Sequence, residues 1–557
     1  MNLINDPWIP VLRANGSREK ITPWKIAEAE NPVVEIAAPR PDFQGALYQF
    51  LIGLLQTAFA PENEDGWQEC WETPPDESEF KTALEKLSPA FELINPEGSA
   101  FLQDFDMPDG ELKPLAGLLI EAPGGKTLKD NLDHFVKGGT VEGACLSCAA
   151  TALFTLQANA PAGGVGHRVG LRGGGPLTTL VMPQNDQSTL WQKLWLNVLS
   201  NEDFEVVSAN GNENPFPWMC ETRHSDNKGV TTEPQDVSPL QMYWGMPRRI
   251  RFASSDLKEG DCTLCGCQSS ELLTHYRTKN YGTNYDGPWL HPLTPYRFDP
   301  KKVKPPLTLK GQQGGLGYRH WLGLSCQDDN NGDQAAKITR LFNEERAEFI
   351  AELAEVEELP ARLWCFGYDM DNMKARCWYD HQMPLLNVAD DYRDNFILFV
   401  SQILAAAKDA VFLLRGQVKA GWFNRPSDAK GDTSMVDHSF WQATEPAFYE
   451  LLHSLSNPPE NTRHMPSDVA RHWLTTVRKS ALDLFDEWVL SGDAEDLDMK
   501  RITKARRILK SKLITMKSLK ELDQIASDLS FQVPAQQGSV ESWWWQPVHQ
   551  TELRHPE

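Results

Sequence analysis

Two short cysteine pairs are the residues best suited to coordination chemistry: Cys145-Leu-Ser-Cys148 and Cys262-Thr-Leu-Cys265. Each is a CxxC knuckle, and two knuckles can supply the four thiolates of a tetrahedral zinc site. More than a hundred residues separate them, far beyond the spacing of a compact zinc ribbon, so the fold must bring them together. The other reading is that some are ordinary buried cysteines. Cys267 could replace Cys265, but the two-residue spacing favours Cys265. A catalytic zinc needs an open coordination position and usually a nearby Glu, and the HxE…PCxxC pattern of deaminases is absent. Any zinc here is expected to be structural.

The stretch Pro161–Pro176 holds seven glycines together with His167, Arg168 and Arg172. It lacks the GK[ST] ending of a phosphate loop, which argues against a nucleotide triphosphatase. Glycine permits positive φ and close approach of backbone to a ligand. With arginines beside it, this composition suits contact with a nucleic-acid backbone or groove floor. A turn-rich structural hinge is the equal alternative.

A second basic feature runs from Lys500 to Lys520, nine Lys and Arg residues with no acid between them. Ile502, Ala505, Leu509, Leu513 and Met516 recur as its buried stripe. Lys504, Arg507 and Lys510 are the candidates for a phosphate-facing surface, and a solvated helix face is the alternative. Phe366–Arg376 reads as a strand ending in a polar hairpin. His291, in Trp-Leu-His-Pro-Leu-Thr-Pro, reads as a hydrogen-bonded structural histidine. No Ser/His/Asp or Cys/His arrangement and no paired-carboxylate motif stands out, so no enzyme activity is expected.

These features need a scaffold. A chain of 557 residues is too long for one hydrophobic core and implies at least two domains. Residues 1–387 are densely punctuated by Gly, Pro, Asn and Asp. Short apolar runs such as Trp8–Leu12 and Thr178–Met182 read as strands, and Phe43–Phe59 reads as a helix. An irregular α+β domain is expected there. Residues 388–557 change to helical periodicity, with helices over Asp391–Arg415, Val436–Leu455, Pro466 to Leu490 and Asp493 to Leu529. Together these predict an antiparallel four-helix bundle. The Trp543–Trp545 tail has no assigned role.

The net charge of −23 and pI near 5.1 exclude a broad nucleic-acid-embracing surface, because phosphate contact needs Lys and Arg. Nucleic-acid contact has to be local or shared with basic partners. No uninterrupted run of 18 apolar residues argues for a membrane span. The opening MNLINDPWIPVL does not read as a signal peptide. With ten cysteines and no disulfide-like framework, a reducing, cytoplasmic setting is expected.

The segments NLINDPWIPV (2–11), CLSCAATALFTLQANAPAGGVGHRVGLRGGGPLTTLV (145–181), CTLCGC (262–267), WLHPLTP (289–295) and GYDMDNMKARCW (367–378), with the terminal helices, resemble the CasA family, the large subunit of type I-E CRISPR Cascade. The resemblance covers nearly the whole chain. It implies a subunit of an RNA-guided complex in which base pairing reads the target and the protein reads a short flanking motif, the PAM. The family reads it from the minor groove. By resemblance, the glycine loop falls on Gly163, Gly164, Val165 and Gly166, with Arg168 beside it. A lysine finger falls on Lys279 and Asn280. A duplex-parting wedge falls on Asp371, Asn372, Met373 and Lys374, and a loop docking near the guide-RNA handle falls on Phe135, Val136 and Lys137. Val165 stands where the family loop has glycine, and Asn280 where the finger has lysine, so no PAM sequence is assigned. The resemblance further implies guide RNA, the other Cascade subunits, target duplex DNA and a helicase-nuclease as partners, and no membrane. A zinc scaffold that never touches DNA is the competing expectation.

Overall fold

The computed structural model describes residues 1–527 except 106, 108, 124–128, 130–138, 165, 205–213, 226–229, 312, 329, 355–360, 372, 429–431, 458–462 and 492–496. Apolar runs broken every few residues by Gly, Pro, Asn and Asp yield short strands. The first part of the chain accordingly builds several small antiparallel sheets. β1 (Ile9–Arg13) lies between β2 (Arg18–Ile21) and β3 (Val33–Ile36). α1 (Pro41–Ala58) follows, with Pro41 at the first helical position, where its missing N–H leaves no bond unmade. The expected apolar residues Leu47, Phe50, Leu51, Leu54 and Leu55 are all buried. Phe50 is the hub of an aromatic cage. Trp8, Phe91, Phe101, Phe154 and Trp244 meet it edge to face at 5.2–6.1 Å, the arrangement that ring quadrupoles favour.

Next come β4 (Glu111–Pro114) and β5 (Ala144–Cys145), which runs straight into α2 (Leu146–Asn159). β6 (Thr178–Pro183) leaves the glycine stretch and is wholly buried. β7 (Arg249–Arg251), β8 (Leu257–Asp261), β9 (Gln268–Leu273) and β10 (His275–Lys279) complete two sheets, ordered β4-β10-β7 and β5-β9-β8. Four two-residue strands, β11 (Tyr296–Arg297), β12 (Leu307–Thr308), β13 (Gln327–Asp328) and β14 (Asp333–Gln334), form another. The long hairpin of β15 (Ala361–Asp371) and β16 (Lys374–Leu385) pairs through β15 with β6.

From Asp390 onward the described chain is helical: α3 (Asp390–Trp422), α4 (Ser434–Ser456), α5 (Ser467–Leu490), α6 (Met499–Thr515) and α7 (Lys517–Ser527). The first three match the sequence expectation in place, although α3 runs two turns further and Pro466 caps α5 instead of lying in its first turn. The expected fourth helix is two. Met516 takes an extended conformation (ψ 144°) that breaks it, and the Asp409 carboxylate on α3 accepts the Ser518 N–H at 3.2 Å. A tertiary cap of this kind satisfies a helix-start donor and is invisible to local periodicity. α3 packs against all four other helices. It alone among the described helices is long and apolar enough to cross a membrane, and 56% of its most apolar window is buried within the protein. Tyr318 stacks on Phe448 at 4.5 Å and Trp321 meets Phe396 edge-on at 6.0 Å, so the buried core is continuous between the sheets and the helices.

Candidate nucleic-acid interface and metal centre

Strand pairing closes the distance between the cysteine knuckles. β5 pairs antiparallel with β9, placing Cys145 opposite Leu272, while the β8–β9 turn carries Cys262 and Cys265. The knuckle is closed by Gly266 N–H donating to the Cys262 carbonyl and Cys262 N–H donating to the Cys267 carbonyl, both 2.8 Å. Cys145 caps α2 and Cys148 lies in its first turn, where the helix dipole favours thiolate. The sulfurs of Cys145, Cys148, Cys262 and Cys265 all lie within 4.8 Å of one another. Two sulfurs about 2.3 Å from a tetrahedral zinc are about 3.8 Å apart, and Cys145 Sγ and Cys265 Sγ are 3.8 Å apart. Hydrogen bonds from the Cys145 and Cys148 thiols hold Cys262 far below the usual thiol range, and hydrogen bonding to Cys145 and Cys262 pushes Cys148 far above it. Crowded, buried thiols resist ionising together, and a divalent cation among them removes that resistance. Geometry and donor set therefore fit zinc. Cys267 Sγ is 3.2 Å from Cys265 Sγ but falls outside the four-sulfur group.

The glycine loop and the finger, more than a hundred residues apart in sequence, are in contact. The Tyr281 N–H donates to the Gly166 carbonyl at 2.7 Å. A Cβ on Gly166 would lie 2.8 Å from Asn280 Cβ and 3.0 Å from the Tyr281 ring. Gly164 has φ +77° and open space around it. Val165 lies outside the described residues. Lys279 is half-buried at the end of β10, Asn280 is exposed, and Lys279 makes no ion pair with any described residue.

The two arginines beside the loop differ in burial, Arg168 being half-buried and Arg172 buried. Arg168 Nε donates to Ser225 Oγ at 2.7 Å, and Ser225 in turn donates to the Gly282 carbonyl at 2.8 Å and the Tyr281 carbonyl at 3.1 Å. Arg168 thus braces the loop against the finger. Arg172, expected near nucleic acid, is buried and donates to Gln49, Thr178 and Thr294 at 2.6–3.0 Å. Desolvation pulls its pKa down to about 10. Arg248 lies beneath the loop, its guanidinium bonded to the Pro161 carbonyl, and a Cβ on Gly163 would touch it at 3.2 Å. Nothing in the Met-Pro-Arg-Arg context of Arg248 or the Arg-His-Ser-Asp context of Ser225 marks either for this role. His291 is buried, with Nδ1 accepting the Leu293 N–H at 3.1 Å, the structural histidine expected.

The second half of the glycine stretch serves the hairpin. Gly175, at φ +59°, sits where a Cβ would lie 2.7 Å from Met370 Cγ and 2.9 Å from the Tyr368 carbonyl. Asp371 pairs with Lys374, leaving a two-residue tip. Met373 there has φ +67° and is 59% exposed, and Lys374 is exposed. Asn372 lies outside the described residues. Behind the tip, Asp369 pairs with Cys377 and Met370 with Ala375, so Arg376 is the extra residue of a bulge. Arg376 clamps the buried Asp369 carboxylate at 2.7 and 3.1 Å. The hairpin also reaches the helices: His381 lies 3.4 Å from Glu445, and nearby Gln313 donates to Asp432 at 2.7 Å.

On α6, Ile502, Ala505, Leu509 and Leu513 are buried as predicted, and Lys504, Arg507 and Lys510 are exposed. Arg506 pairs with Asp486 at 2.6 Å, while Arg501 donates to the Gly421 carbonyl at 2.8 Å. The run thus divides into packing cations and outward ones. Phe135, Val136 and Lys137 lie outside the described residues.

The model of the family described as CRISPR-associated protein Cse1 matches residues 2–484. The CRISPR-associated protein CasA/Cse1 of Thermus thermophilus is 30% identical over 272 residues, 47% of this chain. That match spans about half (49%) of the curated relative's length. The solved structure of Thermus thermophilus CasA (Cse1) superposes with TM-score 0.66 at 20% identity, covering 94% of this chain and 99% of that one. A chain of a structure described as a CRISPR RNA-guided surveillance complex gives TM-score 0.63 at 15% identity, covering 92% and 99%. These two show a common fold.

Proposed function

Given that this chain belongs to the CRISPR-associated protein Cse1 family, we propose that it serves as the large subunit of a type I-E Cascade RNA-guided surveillance complex and reads the PAM of target duplex DNA from the minor groove. The observation carrying this reading is the packing of Gly166 on Asn280 and Tyr281. It makes one ledge of the loop Gly163–Gly166 and the finger Lys279–Asn280. A minor groove about 6 Å wide admits backbone where most side chains are excluded. Gly163 and Gly164 present exposed backbone, and Lys279 supplies the adjacent charge. Arg168, through Ser225, holds the two parts in register.

The hairpin tip Asp371–Lys374 is the wedge. Met373 projects from a strand pair clamped at Asp369 and Arg376, so insertion pressure is met by a braced element. Lys504, Arg507 and Lys510 give the helical region a phosphate-facing side for the displaced strand. Phe135–Lys137 dock near the guide-RNA handle. The work divides between residues 1–387, which read the PAM, and 388–557, which support the complex. Structural zinc held by Cys145, Cys148, Cys262 and Cys265 fixes the sheet that leads into α2. The subunit binds and does not catalyse. A separate helicase-nuclease docks on it in the cytoplasm once the target strand is paired.

The test is a gel shift of the remaining Cascade subunits and guide RNA against a duplex library randomised at the flanking motif, with and without this chain. PAM-dependent binding should require the chain. Identical shifts in both arms would reduce it to a scaffold.

A further inference from the structure

The outer face of the β4-β10-β7 sheet sets like charges directly opposite each other. Arg277 pairs in register with Arg251, and Lys279 with Arg249. Directly opposed residues share a face, with Cβ atoms about 4.5–5.5 Å apart, and like charges there destabilise the pair. Tyr276, Thr278 and Ile250 between them point inward and are buried. Among the described residues the counter-charge on this face goes to Arg249 and leaves Arg277 and Lys279 without an ion pair. The buried Asp104 carboxylate is engaged by Arg249. Arg251 directs its N–H groups to the carbonyls of Asn95, Gly98 and Asp104, and Glu111 at the sheet edge pairs with Lys113. Arg277 and Lys279 make no ion pair with any described residue. In a chain of net charge −23, carboxylates were abundantly available to relieve this repulsion.

We propose that this sheet face is a binding surface for the phosphate backbone of duplex DNA, with Arg277 as a phosphate contact beside Lys279. The proposal rests on the PAM-reading assignment and extends it. β10 ends at Lys279, and the next two residues pack on Gly166, so the patch adjoins the glycine loop. Arg277 and Lys279 lie about 7 Å apart along the strand at 3.4 Å per residue. Two nucleotides of one DNA strand advance about the same distance along the helix axis. Phosphates seated here supply counter-charge to Arg277 and Lys279 and hold the duplex against the loop without reading its sequence.

The experiment uses Arg277→Gln in the assembled complex with guide RNA, with Lys86→Gln as a remote surface control. The slope of log affinity against log salt on duplex DNA should shrink by about 0.9. Affinity should fall by the same factor on PAM and non-PAM duplexes, leaving their ratio unchanged. Melting of the isolated subunit should stay the same or rise, because a like-charge neighbour has been removed. A lowered melting temperature with an unchanged slope would make Arg277 a structural residue and overturn the proposal. Equal loss of single-stranded DNA or guide-RNA binding would overturn it too, since the patch would then serve another strand. Gly166→Asp, run in parallel, separates the two readings. If it abolishes PAM discrimination while Arg277→Gln leaves the slope intact, only the patch fails. If it leaves discrimination intact, the loop assignment fails.

Discussion

Tyr281 donates its backbone N–H to the Gly166 carbonyl at 2.7 Å, and that bond ties the finger to the glycine loop. It also separates two glycines that look equivalent in sequence. Gly164 is surrounded by open space, so Gly164→Ala meets only the cost of a left-handed backbone, about 1–2 kcal/mol. Gly166→Ala pays that cost and collides with Asn280 Cβ at 2.8 Å.

The expected outcome is graded. Gly164→Ala should lower the melting temperature slightly and leave PAM-duplex binding measurable. Gly166→Ala should shift the finger, and Gly166→Asp should add repulsion from phosphate and cut PAM-duplex binding by tenfold or more, about 1.4 kcal/mol. Binding of the complex to complementary single-stranded DNA should survive in all three. Equal losses at Gly164→Ala and Gly166→Ala would mean the contact with Asn280 carries nothing.

Sequence patterning located residues where type and spacing dictate their placement. Four thiols in two knuckles, a basic run over a buried stripe, and a polar hairpin after an apolar strand are local patterns with few physical interpretations. It failed where burial decides. Arg172 shares its glycine-rich context with Arg168, yet it alone of the two is buried, a donor to Gln49, Thr178 and Thr294, because only three-dimensional neighbours distinguish them. The break at Met516 has no local signal because its cap comes from Asp409, over a hundred residues earlier. Arg248 and Ser225 had no local signal at all.

Zinc should be present at about one ion per chain, measured by elemental analysis of protein purified without chelator. Cys148→Ser removes one of the four clustered thiols, and should lose the metal and destabilise the β5-β9-β8 sheet, since binding and folding are coupled. Lowering pH should release the ion, because the ligands bind only when deprotonated. The site is then stable above the pH at which thiolates are captured by protons and is lost below it. Metal-free protein with unchanged melting would refute the assignment.

On α6 the outward cations and the packing cation should part company. Replacing Lys504, Arg507 and Lys510 with Gln should shrink the salt slope of target binding by up to about 0.9 per lost contact, whatever the PAM. Arg506→Gln removes the pair with Asp486 and should lower stability by about 1 kcal/mol or less, as a half-exposed pair does, without touching the slope. A triple variant with the wild-type slope would place this face against solvent or protein.

The hairpin tip offers the most discriminating case, because Met373 combines exposure with a left-handed φ of +67°. A non-glycine residue in that conformation costs about 1–2 kcal/mol, and Met373→Gly relieves it. Stability of the subunit should therefore hold or rise. Function should move the other way. Opening the first base pairs costs a few kcal/mol of unstacking, which an inserted apolar side chain can offset. Met373→Gly should slow R-loop formation on a fully paired duplex, measured by permanganate reactivity of the displaced strand. On a duplex mismatched beside the PAM, where opening is already nearly free, the rate should return to that of the unaltered protein. The clamp makes a companion test. Arg376→Gln frees the buried Asp369 carboxylate and loosens the strand pair behind the tip, so it should slow opening with Met373 still in place and also lower the melting temperature. A Met373→Gly protein equally slow on both duplexes would show that the tip does not part base pairs.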